Sequence, residues 1–272
     1  MRLGVSTSFE HISPQEWLEK NKRLGLKSVV FPTNCEADDS LIKEYSSLAD
    51  KNDITIAEVG IWRNTLAADK AERTRAMEYA INQLILADKI GAKCCVNVAG
   101  TPHGPRWDGG YRNNFDDATR RKIIQMIRTI IDEASPKRTT FSIESMPWMV
   151  PSGPDDYLQL LNEVERDSFS VHLDLINMVN SAQRYFFLDE FMDECLDKLG
   201  DKLVSCHLKD IKLLPEYTFQ LRECAPGEGI LNIKRFLNKL DEINPEMPII
   251  IEHLKTDAEY EQSVKYVQNL NV

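Results

Sequence analysis

Apolar and polar positions along this chain alternate between two patterns, and the alternation recurs eight times. Short, nearly continuous apolar runs fall at 3–7, 28–32, 54–61, 94–100, 140–145, 169–174, 203–210 and 249–254. Each is followed by a stretch with helical spacing. In 69–90, Met77, Ala80, Ile81, Leu84 and Ala87 share one face, as do Ile123, Met126, Ile127, Ile130 and Ile131 in 116–134. Further helices are expected from 14 to about 25, and over 39–51, 154–165, 188–199, 232–243 and 257–270. Their boundaries carry the expected signals. Ser13 suits an N-cap, Pro14 the first helical position, and Glu16 the reciprocal capping position, while Gly25 and Gly91 close the helices before them.

Eight strand-helix units with near-continuous apolar strands predict a parallel sheet covered by helices, an α/β chain. No composition break or low-complexity segment divides it, so one domain spanning 1–272 is expected. An open doubly wound sheet is the structural alternative. No GxGxxG follows the first strand, however, and eight units close naturally into a TM-type (β/α)8 barrel, called a TIM barrel, for which about 250 residues is typical. The 272 residues and 42% hydrophobic content fit that size. The expected ligand-binding face is the one carrying the long loops after strands 4 to 7.

Charge and cysteine content narrow the class. With 33 basic against 43 acidic residues, the net charge of −10 opposes a default role on nucleic acid or an anionic membrane. No stretch approaches 18 apolar residues, and the six cysteines show no CxxC spacing. A reduced, soluble, cytoplasmic protein is expected.

Within the apolar runs, four polar residues stand out: Glu144 in TFSIES, Asp174 ending FSVHLD, His207 in LVSCHLKD and Glu252 in IIIEHL. Unpaired carboxylates at the ends of buried strands cost several kcal/mol or more in lost hydration. One divalent cation shared by all four would supply the missing charge. Strand parity puts His172 on the side of Asp174, and Ser205 and Lys209 on the side of His207. Three carboxylates and one imidazole suit Mn2+ first, with Mg2+, Co2+ or Zn2+ as alternatives.

The segments IESMPW, VHLDLINMVN, CHLKD followed by APGEGILN, and IIIEHL resemble the sugar phosphate isomerase/epimerase superfamily. These are xylose isomerase-like barrels that include ketose 3-epimerases and inosose dehydratases. The resemblance covers nearly the whole chain. It implies that Glu144, Asp174, His207 and Glu252 form the metal set and that Glu144 and Glu252 double as the acid/base pair. There is one departure. Ketose 3-epimerases commonly carry a substrate-binding His three residues after the metal Asp, where this chain has Asn177, which can hydrogen-bond a hydroxyl but carry no proton. A D-x-x-N pattern also occurs in inosose-dehydratase-like members.

The expected chemistry is proton abstraction beside a chelated carbonyl, giving an enediolate and then epimerisation or isomerisation of a ketose or keto-polyol. Loss of a β-hydroxyl would make a lyase or dehydratase instead. Candidate substrate contacts are Asn177, Lys209, Arg222, His103, Trp107 and His172, with Trp62 and Trp148 as further aromatic platforms. His11 and His253 are read as incidental, the latter because it alternates away from Glu252. The remaining readings are a DNA-repair endonuclease of the related barrel group, which needs more than the five histidines here, and a non-catalytic sugar-binding subunit. A small-molecule sugar is the expected partner, with a homodimer or homotetramer as a class-level expectation.

Overall fold

Eight parallel strands lie side by side in the order β1-β10-β7-β6-β5-β4-β3-β2 in this computed structural model, which describes residues 1–270. The strands are β1 (Arg2–Val5), β2 (Ser28–Val30), β3 (Thr55–Gly60), β4 (Cys94–Val98), β5 (Thr140–Glu144), β6 (Phe169–Asp174), β7 (Leu203–Leu208) and β10 (Pro248–Ile251). A small antiparallel pair, β8 (Asp210–Leu213) and β9 (Leu221–Cys224), stands apart from them. The two outer strands of the order, β1 and β2, meet through the Lys27 amide, which donates to the Leu3 carbonyl at 2.9 Å, and Ser28 Oγ, which donates to the Arg2 carbonyl at 2.8 Å. The barrel is thereby nearly closed.

The helices α1 (Pro14–Arg23), α2 (Asp39–Lys51), α3 (Lys70–Ile90), α4 (Asp117–Ala134), α5 (Pro154–Val164), α6 (Ala182–Phe186), α7 (Leu188–Leu199), α8 (Ile233–Ile243) and α9 (Asp257–Gln268) wrap the sheet. Their apolar stripes make the outer core layer: Ile123, Ile127 and Ile130 of α4 and Phe236 and Leu240 of α8 are fully buried. Capping follows the local sequence. Ser13 accepts the Glu16 amide, and Gly91 takes φ +73° at the end of α3. The Glu16 carboxylate reaches one residue further back than a capping box requires, to the Ile12 amide at 2.9 Å.

Three departures from the sequence pattern occur, all on the loop face. The apolar run 203–210 is two strands: β7 ends at Leu208, and Asp210 opens the β8–β9 hairpin. The short helix α6 precedes α7. The run 249–254 stops pairing at Ile251, and His253 turns with φ +58°. All six cysteines are free thiols, and among the described residues no helix is long and apolar enough to cross a membrane.

Candidate metal centre and its cavity

Parallel strands deliver their C-terminal residues to one end of a barrel, and four neighbouring strands do so here. Glu144 is the last residue of β5, Asp174 the last of β6, His207 the penultimate of β7, and Glu252 follows β10. Asp174 stands opposite His207 in the β6–β7 register, and the Glu252 amide still bonds the Leu208 carbonyl at 3.3 Å. One ligand atom from each of the four lies within 4.8 Å of the others, and all four residues are buried.

The orientation of these atoms fits a cation. His207 Nδ1 sits 2.9 Å from Glu252 Oε2 and 3.6 Å from Glu144 Oε1, yet it has no hydrogen-bond partner. Asp174 Oδ2 is also buried, and the charge facing it is the Lys209 ammonium at 2.7 Å. Buried polar atoms are nearly always paired, so the unpaired His207 Nδ1 among three carboxylates makes this point a candidate place for a cation. Three hard carboxylates and a single imidazole suit a divalent metal that tolerates mixed oxygen and nitrogen ligands.

Electrostatics push these groups apart. Burial raises the Glu144 and Glu252 carboxyls, but His207, joined at Glu252 by Lys209, outweighs it; Glu144 falls below the usual range and Glu252 well below it. Asp174 is pushed up to about 7 by burial, against the pull of Lys209. Burial works against the charged form of His207, but Glu252, Glu58 and Glu144 hold its pKa well above the usual value. Lys209 is itself buried, with its Nζ 2.7 Å from both Asp174 Oδ2 and Glu252 Oε1.

Above this floor opens a cavity of about 1010 Å3. Asn177, Arg222 and Trp107 line it, together with Trp62, Trp148 and Phe219. The Asn177 side chain donates to Glu144 Oε1 at 3.0 Å, and its amide to Asp174 Oδ1 at 3.0 Å. Trp148 Nε1 donates to the Asp108 carbonyl at 2.7 Å, which ties the loop after β5 to the loop after β4.

Three expected substrate contacts lie elsewhere. His103 is absent from the cavity lining, and its Nε2 is 3.3 Å from Thr119 Oγ1, at the start of α4. His172 is packed below the floor, bonded through Nδ1 to Ser205 Oγ at 2.6 Å; burial, aided by His207, pushes it down to about 4, so it is neutral at pH 7. Lys209 points into the ligand cluster, since two of its carboxylates compete for its ammonium. Conversely, His253 is part of the rim: its positive φ breaks the strand alternation, and Nδ1 lies 2.9 Å from Glu223 Oε2. Glu58, Glu223 and Asp210 went unread in the sequence. Only Glu58 leaves a signal there, as a lone carboxylate inside the apolar run ITIAEVGI.

A family model described as xylose isomerase-like TIM barrel matches residues 18–270. The chain belongs to that family. No curated protein matches it. Among solved structures, a xylose isomerase-like TIM barrel protein from Mycobacterium smegmatis in complex with magnesium superposes with a TM-score of 0.72 at 17% identity, covering 99% of this chain and 96% of that one. D-psicose 3-epimerase with D-tagatose from Clostridium cellulolyticum gives 0.72 at 14% identity, over 99% and 97%. Endonuclease IV from Thermus thermophilus gives 0.75 at 12% identity, over 100% and 99%. Likeness at this level establishes the xylose isomerase-like fold and leaves the reaction to the residues of the site.

Proposed function

We propose that this xylose isomerase-like barrel is a metal-dependent isomerase or epimerase, acting on a ketose or related keto-polyol by proton transfer at a carbon next to a carbonyl. The observation that carries the reading is the convergence of Glu144, Asp174, His207 and Glu252 on one buried point, at the floor of a cavity with room for more than a monosaccharide. A divalent cation held there, Mn2+ by preference, would polarise a substrate carbonyl and offset the negative charge that develops on its oxygen.

The chain's own residues supply the rest. Glu144 and Glu252 hold pKa values below the ordinary carboxylate range, so both are ionised at neutral pH and able to accept a proton. Each is fixed through a named oxygen: Oε1 of Glu144 by the Asn177 side-chain amide, Oε1 of Glu252 by the Lys209 ammonium. They arrive from β5 and from the end of β10, with β6 and β7 between them. A substrate carbon above the floor would meet a carboxylate on each side, the arrangement epimerisation needs. Trp62, Trp107 and Trp148 offer rings for sugar C–H faces and help exclude water, while Asn177 and Arg222 offer donors to hydroxyls.

The test is solvent exchange. Ketoses, inososes and keto-glycosides are incubated with the Mn2+-loaded protein in deuterium oxide and followed by proton NMR. The expected outcome is metal-dependent loss of one C–H signal, falling by about 10²-fold or more in Glu144→Gln and Glu252→Gln. Product stereochemistry then separates epimerase and isomerase from a lyase. Absence of exchange across the panel would sink the reading in favour of a binding subunit.

A further inference from the structure

Glu58 stands outside the four-residue set, yet it meets the set's one imidazole from behind. It is 2% exposed in β3, and its Oε1 lies 3.3 Å from His207 Nε2, across 149 residues of sequence. The other ring nitrogen, Nδ1, faces Glu252 and Glu144. An imidazole has only these two nitrogens, so a hydrogen held on Nε2 by a carboxylate leaves the Nδ1 lone pair pointing into the cluster.

Glu58 is packed against a second histidine, its Oε2 making no hydrogen bond. Its Oε2 is 3.5 Å from His172 Nδ1, and His172 is anchored to Ser205 Oγ at 2.6 Å. The His172 ring also stands edge-on to His207, with centroids 4.2 Å apart. This edge contact packs the His207 ring from below.

We infer that Glu58 is a positioning residue for the metal centre: it accepts the Nε2 hydrogen of His207 and so fixes the tautomer and ring plane with which Nδ1 meets the cation. The inference rests on the reading of Glu144, Asp174, His207 and Glu252 as ligands. A carboxylate behind a ligating imidazole also raises its basicity, and losing such a partner typically weakens metal binding about 10–100-fold. A residue that merely packs would lower stability and leave the affinity of the folded protein unchanged.

The experiment compares full-length wild type, Glu58→Gln and Glu58→Ala. Mn2+ affinity is measured from the electron paramagnetic resonance of the free ion, alongside urea unfolding to confirm that each variant is folded. The Mg2+-loaded proteins are compared by proton-nitrogen NMR of the His207 ring. Expected results are a loss of affinity of about 10–100-fold in Glu58→Ala and a smaller, several-fold loss in Glu58→Gln, whose amide oxygen can still accept the hydrogen. A slowly exchanging Nε2 hydrogen on His207 should persist in wild type, shift in Glu58→Gln and vanish in Glu58→Ala. Affinity within about twofold of wild type in Glu58→Ala, or metal bound through Nε2, overturns the inference. If Glu58→Ala does not fold, Glu58→Gln decides alone, with unchanged affinity and an unchanged Nε2 hydrogen as the overturning result. Wild type that binds neither ion takes down the ligand set as well, whereas tight binding indifferent to Glu58 removes this inference only.

Discussion

A lysine ammonium shielded from water keeps its charge only when carboxylates surround it. Lys209 has three: Asp174 and Glu252 at 2.7 Å and Glu223 at 3.2 Å. Burial works against its charge, but these carboxylates hold its pKa well above the ordinary lysine value. Lys209→Met should therefore leave Asp174 without a charged partner and Glu252 with His207 alone, and destabilise the metal-free protein by about 3–5 kcal/mol. Urea unfolding with a chelator, and again with saturating Mn2+, checks this. The cost should shrink with Mn2+, because a cation at the same carboxylates supplies the lost charge. An equal cost in both conditions would mean that the ammonium and the metal balance different charges. Strand parity correctly put Lys209 inside the barrel beside His207. Its partners could not be read the same way, because the far end of a long side chain goes to whichever charges the fold brings near.

The loop after β7 shows how one residue organises an element. Asp210 is fully buried and accepts four backbone amides: Ile211 at 2.8 Å, Gly227 at 3.1 Å, and Gly229 and Leu231 at 2.9 Å. It thereby pins the turn Pro226-Gly227-Glu228-Gly229 under the β8–β9 hairpin, which carries Arg222 and Glu223 to the cavity. A Cβ at Gly229 would collide with the same carboxylate, which is why that position is glycine. Asp210→Asn has one acceptor oxygen for these amides and turns an NH2 group toward others, so it should cost about 2–3 kcal/mol. Hydrogen exchange should quicken at Gly227, Gly229 and Leu231, with little change in β5 and β6; protection that stays intact at those amides would contradict the role. The APGEG motif is visible in the sequence, but the hairpin is not. Its strands, DIKL and LREC, are four residues each, mix polar and apolar positions, and have only each other as strand partners. The eight barrel strands and the four clustered polar positions are legible because burial of whole strands leaves apolar runs, against which a carboxylate stands out. Glu58 left the same mark, but its partner, 149 residues away, could not be found from spacing. His253 was misread because parity fails once φ turns positive.

At the scale of the molecule, the barrel's join lies just outside the strands of its candidate site. The strands that carry the candidate ligands, β5, β6, β7 and β10, are contiguous, and closure is made one strand beyond β10, where β1 meets β2. That seam depends on a close approach: a Cβ on Gly4 would overlap the Ser28 carbonyl and hydroxyl oxygens as well as Ile250. At its lower end, the Arg2 guanidinium bonds Asp53 Oδ1 at 2.7 Å and Glu246 Oε2 at 2.5 Å, joining the segments that lead into β3 and β10. Gly4→Ala should force the two strands apart and destabilise the protein by about 1–3 kcal/mol, the usual cost of overpacking a dense interior. The amide of Lys27, bonded across the seam to Leu3, should lose protection from hydrogen exchange first. Gly4 meets β10 at Ile250, two residues before Glu252, while β5, β6 and β7 lie further round the barrel, so Mn2+ affinity should fall by less than about tenfold. A large loss of affinity in Gly4→Ala would instead show that strain at the seam travels through the packed barrel to β7 and β10, and that closure and metal binding are one cooperative event.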